Sequence, residues 1–420
     1  MKIDNGYKMT EVGVIPEDWE VKQLKSMLDK NPTYGINAAA VALTGELPTY
    51  IRITDITDEG YFDYTKRVGV NHPLSSNYYL EAGDIVFART GASVGKSYMY
   101  NLNDGKLVYA GFLIKIRPDI GKLLPVYLAQ YTKTQMYWNW VNVVSMRSGQ
   151  PGINGKEYGQ LSIPMPPTIE EQKAIATALS DADELIQSLE KLIAKKRAIK
   201  QGAMQELLKP KEGWTTKKLG EIFNFSGGYS ATREKLVSEG YCYLHYGDIH
   251  GSKTTYIDVK EEYSNIPKLP IELKKISRKS MLNDGDVVFV DASEDDEGTS
   301  RHIVIKNSSE IPFISGLHTI VAKSKDDSIN NEYKRYCFQS IHIKNQFKFY
   351  AVGTKVSGIS KVSIAKIEIK FPAIEEQTAI ASILSDMDAE ITALEAKLEK
   401  YKKIKHGMMQ NLLTGKIRLV

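Results

Sequence analysis

Pro167-Thr-Ile-Glu-Glu-Gln172 and Pro372-Ala-Ile-Glu-Glu-Gln377 stand 205 residues apart and open two segments that align without a gap as far as Leu208 and Leu413. Of the 42 aligned positions 23 are identical, among them Asp181/Asp386, Gly202/Gly407 and Met204/Met409. Self-similarity at one fixed offset marks a duplicated plan. Each segment also reads as a long helix. A proline at the start and two glutamates behind it suit a helix N-terminus and the positive end of its dipole. The apolar positions then step by four and three: Ile175, Leu179, Ala182, Ile186, Leu189 and Ile193 in the first copy, and Ile380, Leu384, Met387, Ile391, Leu394 and Leu398 in the second. That is the 3.5-residue period of a coiled-coil seam. Two matched seams in one chain most simply pack on each other, and the spacing alone leaves parallel and antiparallel pairing both open.

Outward from these segments lie two regions of about 150 residues, each of domain size. They match only at landmarks: Trp19 with Leu24 against Trp214 with Leu219, Gly83-Asp-Ile-Val-Phe87 against Gly285-Asp-Val-Val-Phe289, and Gly152-Ile against Gly358-Ile. Short runs such as Tyr50–Ile53, Phe112–Ile116, Val287–Val290 and His302–Ile305 predict strands. Leu124 to Val143 predicts a helix with Tyr127, Tyr131, Trp138 and Val141 as its core stripe. Trp138 and Trp140 fit core packing better than stacking on bases. The expected fold class is therefore α+β: two mixed α/β globular domains, at 1–166 and 209–371, with helical segments at 167–208 and 372–420.

Composition narrows the function. At 420 residues the chain is too long for one ordinary core, and its 42% hydrophobic and 25% charged content fits a soluble globular protein. The opening residues have no apolar core for a signal peptide, and the longest apolar runs are strand-sized. Two cysteines, Cys242 and Cys337, fit a reducing cytoplasm, and seven scattered histidines show no metal-ligand spacing, so no metal site is expected. A net charge of +4 permits nucleic-acid binding without establishing it.

Along its whole length the chain resembles the specificity subunits of Type I restriction–modification systems. The residues that carry the likeness are Ile15-Pro-Glu-Asp-Trp-Glu20, Gly83-Asp-Ile-Val-Phe-Ala-Arg-Thr-Gly91, Ile163-Pro-Met-Pro-Pro167, Glu171-Gln172, Glu376-Gln377 and the helix ends Met204–Leu208 and Met409–Leu413. The resemblance implies that each variable region is a target recognition domain reading one half of a bipartite DNA site. It implies an antiparallel coiled coil that sets the spacer, and docking of two DNA-methyltransferase (modification) subunits and of motor-nuclease (restriction) subunits. No cofactor is expected in this chain; S-adenosylmethionine (SAM), ATP and Mg are expected on the partner subunits. A coiled-coil adaptor with two domains that bind ligands other than DNA is the alternative.

Candidate DNA contacts are polar and cationic residues in Gly-rich loops, where Arg and Lys pair with guanine edges, Asn and Gln with adenine, and many touch phosphate only. In the first domain these are Arg89, Thr90, Ser93, Lys96, Arg147, Ser148, Gln150 and Asn154. In the second they are Ser226, Tyr229, His245, Ser300, Arg301, Lys355 and Ser357. Three short matches lead elsewhere. Gly91-Ala-Ser-Val-Gly-Lys-Ser97 has three residues between its glycines where a phosphate-binding loop has four. Asn31-Pro-Thr-Tyr34 lacks the second proline of an amino-methyltransferase motif, and Ser293-Glu-Asp-Asp-Glu297 has no metal-loop spacing. No catalytic residue emerges.

Overall fold

The first long helix starts just behind Pro167, as the sequence predicts. The Thr168 hydroxyl accepts the Glu171 amide at 3.1 Å, and the helix runs Ile169–Leu207. Its counterpart runs Ile374–Leu412, and both carry two glutamates in the first turn. The computed structural model describes residues 5–146, 149–252, 254–293, 298–353 and 357–419. It falls into two compact units, residues 1–190 with 396–420, and residues 191–395. Each unit therefore holds a stretch of both long helices.

The first unit has two four-stranded sheets. One runs Thr33–Tyr34, Leu113–Ile116, Ile85–Ala88, Ser97–Met99; the other runs Leu107–Tyr109, Thr49–Ile51, Val68–Val70, Ala40–Val41. Ile85–Ala88 is buried along its whole length, as an unbroken apolar run requires. The landmark Gly-Asp before it has a physical cause. Gly83 turns the chain with φ of +87°, and the buried Asp84 caps that turn at the Glu81 amide and pairs with Arg117 at 2.7 Å. In the second unit Gly285, with φ of +76°, and Asp286 repeat the device with Asn283 and Lys323.

The single helix expected over Leu124–Val143 is two helices, Pro125–Tyr131 and Gln135–Val144. The hydroxyl of Thr134 accepts the Tyr137 amide at 3.2 Å and starts the second, so a threonine offering its own hydrogen bond ends the first run. Tyr127, Tyr131 and Val141 are buried in the domain core, with Trp138 and Trp140 packed against it.

The second unit repeats the plan around a five-stranded sheet in the order Phe223–Gly227, Thr319–Ser324, Val287–Val290, His302–Lys306, Tyr256–Asp258. Its two short helices are Asn331–Cys337 and Ile341–Tyr350. Cys242 and Cys337 are both buried and unbridged. No helix among the described residues is long and apolar enough to cross a membrane.

Ion pairs fix the sense in which the long helices run. In the first unit Glu190 meets Lys402 at 2.9 Å, Asp183 meets Lys405, and Glu171 holds Arg418. In the second, Lys196 meets Glu390 at 2.6 Å, Lys200 meets Asp388, and Lys211 meets Glu376 at 3.0 Å. In each unit numbers rise along one helix as they fall along the other, so the pairing is antiparallel. Ile175 and Leu179 share a core with Met409, Leu412 and Leu413; Ile380 and Leu384 share one with Met204 and Leu208. Leu189, Ile193 and Ile391 are buried as well. Ala182, Ile186, Met387, Leu394 and Leu398 are half-buried.

The repeated glutamine pegs each helix to its domain. Gln172 accepts the Leu124 amide at 2.9 Å and donates to the Lys122 carbonyl at 3.0 Å. Gln377 accepts the Asn330 amide at 2.8 Å and donates to the Ser328 carbonyl at 2.9 Å. Asp183 adds a clamp, bonded by Gln130 at 3.0 Å and paired with Lys133 at 3.3 Å as well as with Lys405. Burial pushes the Asp183 carboxyl up, but Lys133 with hydrogen bonds from Lys405 and Gln130 outweighs that and holds it below the usual carboxylate range. A depressed carboxylate stabilises the fold above its unfolded pKa of about 3.9 and loses that contribution as pH falls through the folded value. Asp183→Ala strands two mostly buried lysines and lowers stability at pH 7 by about 3 kcal/mol. In denaturant titrations, its deficit from wild type shrinks as the pH drops below about 4.

Candidate nucleic-acid interface

In the first unit the loop after Ile85–Ala88 is zipped to the segment ahead of the long helix. The Gly91 amide donates to the Pro151 carbonyl at 3.1 Å, the Ile153 amide donates to the Arg89 carbonyl at 2.9 Å, and Thr90 bridges to Gly152. Gly152-Ile is a landmark because it closes this zipper. Arg89, Thr90, Ser93 and Gln150 are thereby gathered on one partly exposed surface. The Arg89 guanidinium lies over the Tyr34 ring, 4.8 Å from its centroid, and the Tyr34 hydroxyl accepts the Gly155 amide at 3.0 Å. The motif-like Asn31-Pro-Thr-Tyr34 thus supplies a platform for the arginine.

Two candidates are engaged locally. Asn154 caps the helix Gly155–Gly159, its side chain accepting the Lys156 and Glu157 amides at 2.9 and 3.0 Å. Lys96 pairs with Asp58 at 2.7 Å. A Cβ on Gly95, whose φ is +88°, would lie 2.6 Å from Val141, so this glycine serves close packing. Arg147, Ser148 and Lys355 lie outside the described residues, as does the acidic run 294–297.

The second unit builds the same zipper with other side chains. Ala292 pairs with Gly358 and Ser293 with Ser357, and the Ile359 amide donates to the Asp291 carbonyl at 2.8 Å. Ser300 and Ser357 are buried there, and Arg301 donates to the His250 carbonyl. His245 caps the helix Tyr246–Gly251 by accepting the Gly247 amide at 3.1 Å. Burial pushes its imidazole below the usual histidine value. Ser226 donates to the Lys279 carbonyl at 2.7 Å, and Tyr229 accepts the Tyr243 hydroxyl at 2.8 Å through its carbonyl, so both are tied into the scaffold.

Of the aromatic cluster beside this zipper, sequence reading named His245 and missed Tyr246, His250 and His318. The Tyr246 ring has His245 at 4.5 Å and the edges of His250 and His318 at 6.2 and 5.5 Å between centroids. His250 contacts the Ala292 carbonyl at 3.3 Å, and His318 contacts Asp291 at 3.2 Å. Among the described residues no group of three or more His, Cys, Asp or Glu is placed to hold a metal ion.

The model of the type I restriction modification DNA specificity domain matches the chain twice, over residues 16–199 and 211–406. The protein belongs to this family. Among its relatives, a Methanocaldococcus jannaschii chain described as "Putative type I restriction enzyme MjaX specificity subunit" is 27% identical over 447 aligned residues, covering 99% of this chain and 97% of the relative. The type I restriction enzyme StySPI specificity subunit of Salmonella potsdam is 23% identical, covering 97% and 90%. The crystal structure of the type I S subunit from M. genitalium has the same fold, with a TM-score of 0.58 at 16% identity and 98% of each chain covered.

A specificity subunit selects DNA sequence and performs no catalytic step itself. If Arg89 contacts a base edge, Arg89→Ala is expected to lower affinity for target DNA by about 1–3 kcal/mol. Lys96→Ala, whose ammonium is already held by Asp58, changes affinity less. Fluorescence titration of the two full-length variants against one duplex checks the order, and equal losses would put Lys96 back among the contacts.

Proposed function

We propose that the chain reads a bipartite DNA site, one half with each of two target recognition domains, at 1–166 and 209–371. One observation carries the reading. The same zipper closes a loop in both units, yet it presents Arg89-Thr90 in one and Asp291-Ala292 in the other. The matched positions carry an arginine lying over a tyrosine ring in one unit and an aspartate held against His318 in the other, so the two loops offer different groups to a base edge. The helical segments 167–208 and 372–420 act as the spacer and as the docking surface for two methyltransferase subunits. Motor-nuclease subunits complete the complex. SAM, ATP and Mg belong to those partners, and the complex works in the cytoplasm.

Replacing residues 209–371 with the second domain of another specificity subunit changes one half-site and leaves the other intact. Methylation mapping in a host that carries the hybrid and its partner reads this out, and alteration of both halves would rule out independent reading. Purified alone, the chain transfers no methyl group from SAM; tritium incorporation into target DNA by the isolated chain would contradict the division of labour. A matched heptad inserted into both helices keeps the seams in register and adds about 10 Å of helix. At 3.4 Å per base pair the preferred spacer then grows by roughly three pairs, with lower activity because those pairs also rotate one half-site about the duplex by about a quarter turn. An unchanged spacer in an active variant would show that the helices do not measure the distance.

A further inference from the structure

His318 is exposed, yet it is fixed more firmly than an exposed side chain needs to be. Its backbone sits in the left-handed region with φ of +58°, a conformation that non-glycine residues adopt rarely and that clusters at functional sites when the surroundings enforce it. Here they enforce it from both sides. The Tyr243 hydroxyl accepts the Leu317 amide at 3.1 Å, and the Thr319 hydroxyl donates to the Gly316 carbonyl at 2.6 Å. The Asp291 amide donates to the His318 carbonyl at 3.2 Å. The ring is held too. Tyr246 meets it edge to face, with an interplanar angle of 80°, and the Asp291 carboxylate lies 3.2 Å from Nδ1.

That last contact sets the tautomer. A carboxylate only accepts, so Nδ1 carries the proton, and in the neutral ring Nε2 presents a lone pair. We infer that His318 is a base-reading residue of the second domain, accepting through Nε2 from the exocyclic amino group of an adenine or a cytosine in the major groove. Adenine N6 and cytosine N4 are the amino donors displayed there, whereas guanine O6 and thymine O4 would oppose a lone pair. Asp291 acts through the ring as a positioning residue. The inference rests on the reading that this domain contacts DNA.

The test is selection of bound duplexes from a randomised pool at pH 8, with the full-length chain co-purified with the modification subunit of its own host. His318→Gly removes the ring and suits the positive φ. His318→Phe keeps a ring against Tyr246 without the nitrogen, and Asp291→Asn lets the proton move to Nε2. Expected for the first two is a loss of preference of about 5- to 150-fold at a single adenine- or cytosine-bearing position of one half-site, the range that one base contact supplies. The third should relax or reverse the choice toward guanine at that position only. An unchanged preference in all three folded variants, an even weakening across sequences, or an affected position occupied by guanine or thymine would overturn the assignment. A wild-type complex with no base preference anywhere would instead overturn the DNA-reading function itself, and this inference with it.

Discussion

Everything else in each unit hangs on an antiparallel helix pair whose start is also part of a domain core. Ile175 and Leu179 face both the domain and the returning helix, and so do Ile380 and Leu384. A seam shared in this way couples two questions that a free-standing coiled coil keeps apart, namely whether the helices pair and how a domain is held on them. The polar clamps do the second job. Gln172 and Gln377 are almost wholly buried and spend their amide groups on backbone that would otherwise be unsatisfied, where each unmade bond costs about 1–3 kcal/mol. Asp183 and Asp388 stand at matched places in the repeat and take a lysine from the opposite helix, each with a further partner from its own domain.

This arrangement explains why the helical segments are so alike and the domain surfaces so different. A substitution in the shared seam is felt by the domain, its partner helix and the ion pairs together. A substitution on the zippered loop leaves the loop's backbone closure in place, because bonds such as Ile153 to Arg89 and Ile359 to Asp291 run through main-chain atoms that any side chain permits.

The helices were legible because a heptad pattern is local and the 205-residue offset repeats it. The Gly-Asp and Gly-Ile landmarks were legible as marks, and their cause emerges only with the strands in place: a positive-φ turn with a buried acid, and the closing edge of a zipper. The apolar steps alone did not give the pairing sense, since both orientations satisfy them; the family resemblance implied the antiparallel one, and the ion pairs bear it out. The helix break at Thr134 was hidden by an apolar stripe that continues across it in phase. Tyr34 and His318 gave no signal for these roles because the fold, not sequence spacing, brings them to Arg89 and Asp291, whereas Tyr246 and His250 stand four residues apart on one helix. Tyr34 is 55 positions from the arginine it supports, and His318 is 27 from its carboxylate. Lys96 and Asn154 were credible candidates on type alone and proved to be engaged locally.

The first unit is discontinuous. Arg418 bonds Asp18 and Glu171 and lies over Trp19, while the Tyr7 hydroxyl reaches the Lys416 carbonyl. The second unit, by contrast, is one unbroken stretch, 191–395. On the ribosome the order of completion is therefore inverted. The domain made first waits, with Trp19 and the apolar row of Ile175 and Leu179 uncovered, until the domain made second is finished and residues 396–419 follow. Contacts of such long sequence separation form late and leave apolar surface open to aggregation meanwhile. Loss of the residues around Arg418 would accordingly injure the domain farthest from them along the chain and spare the nearest.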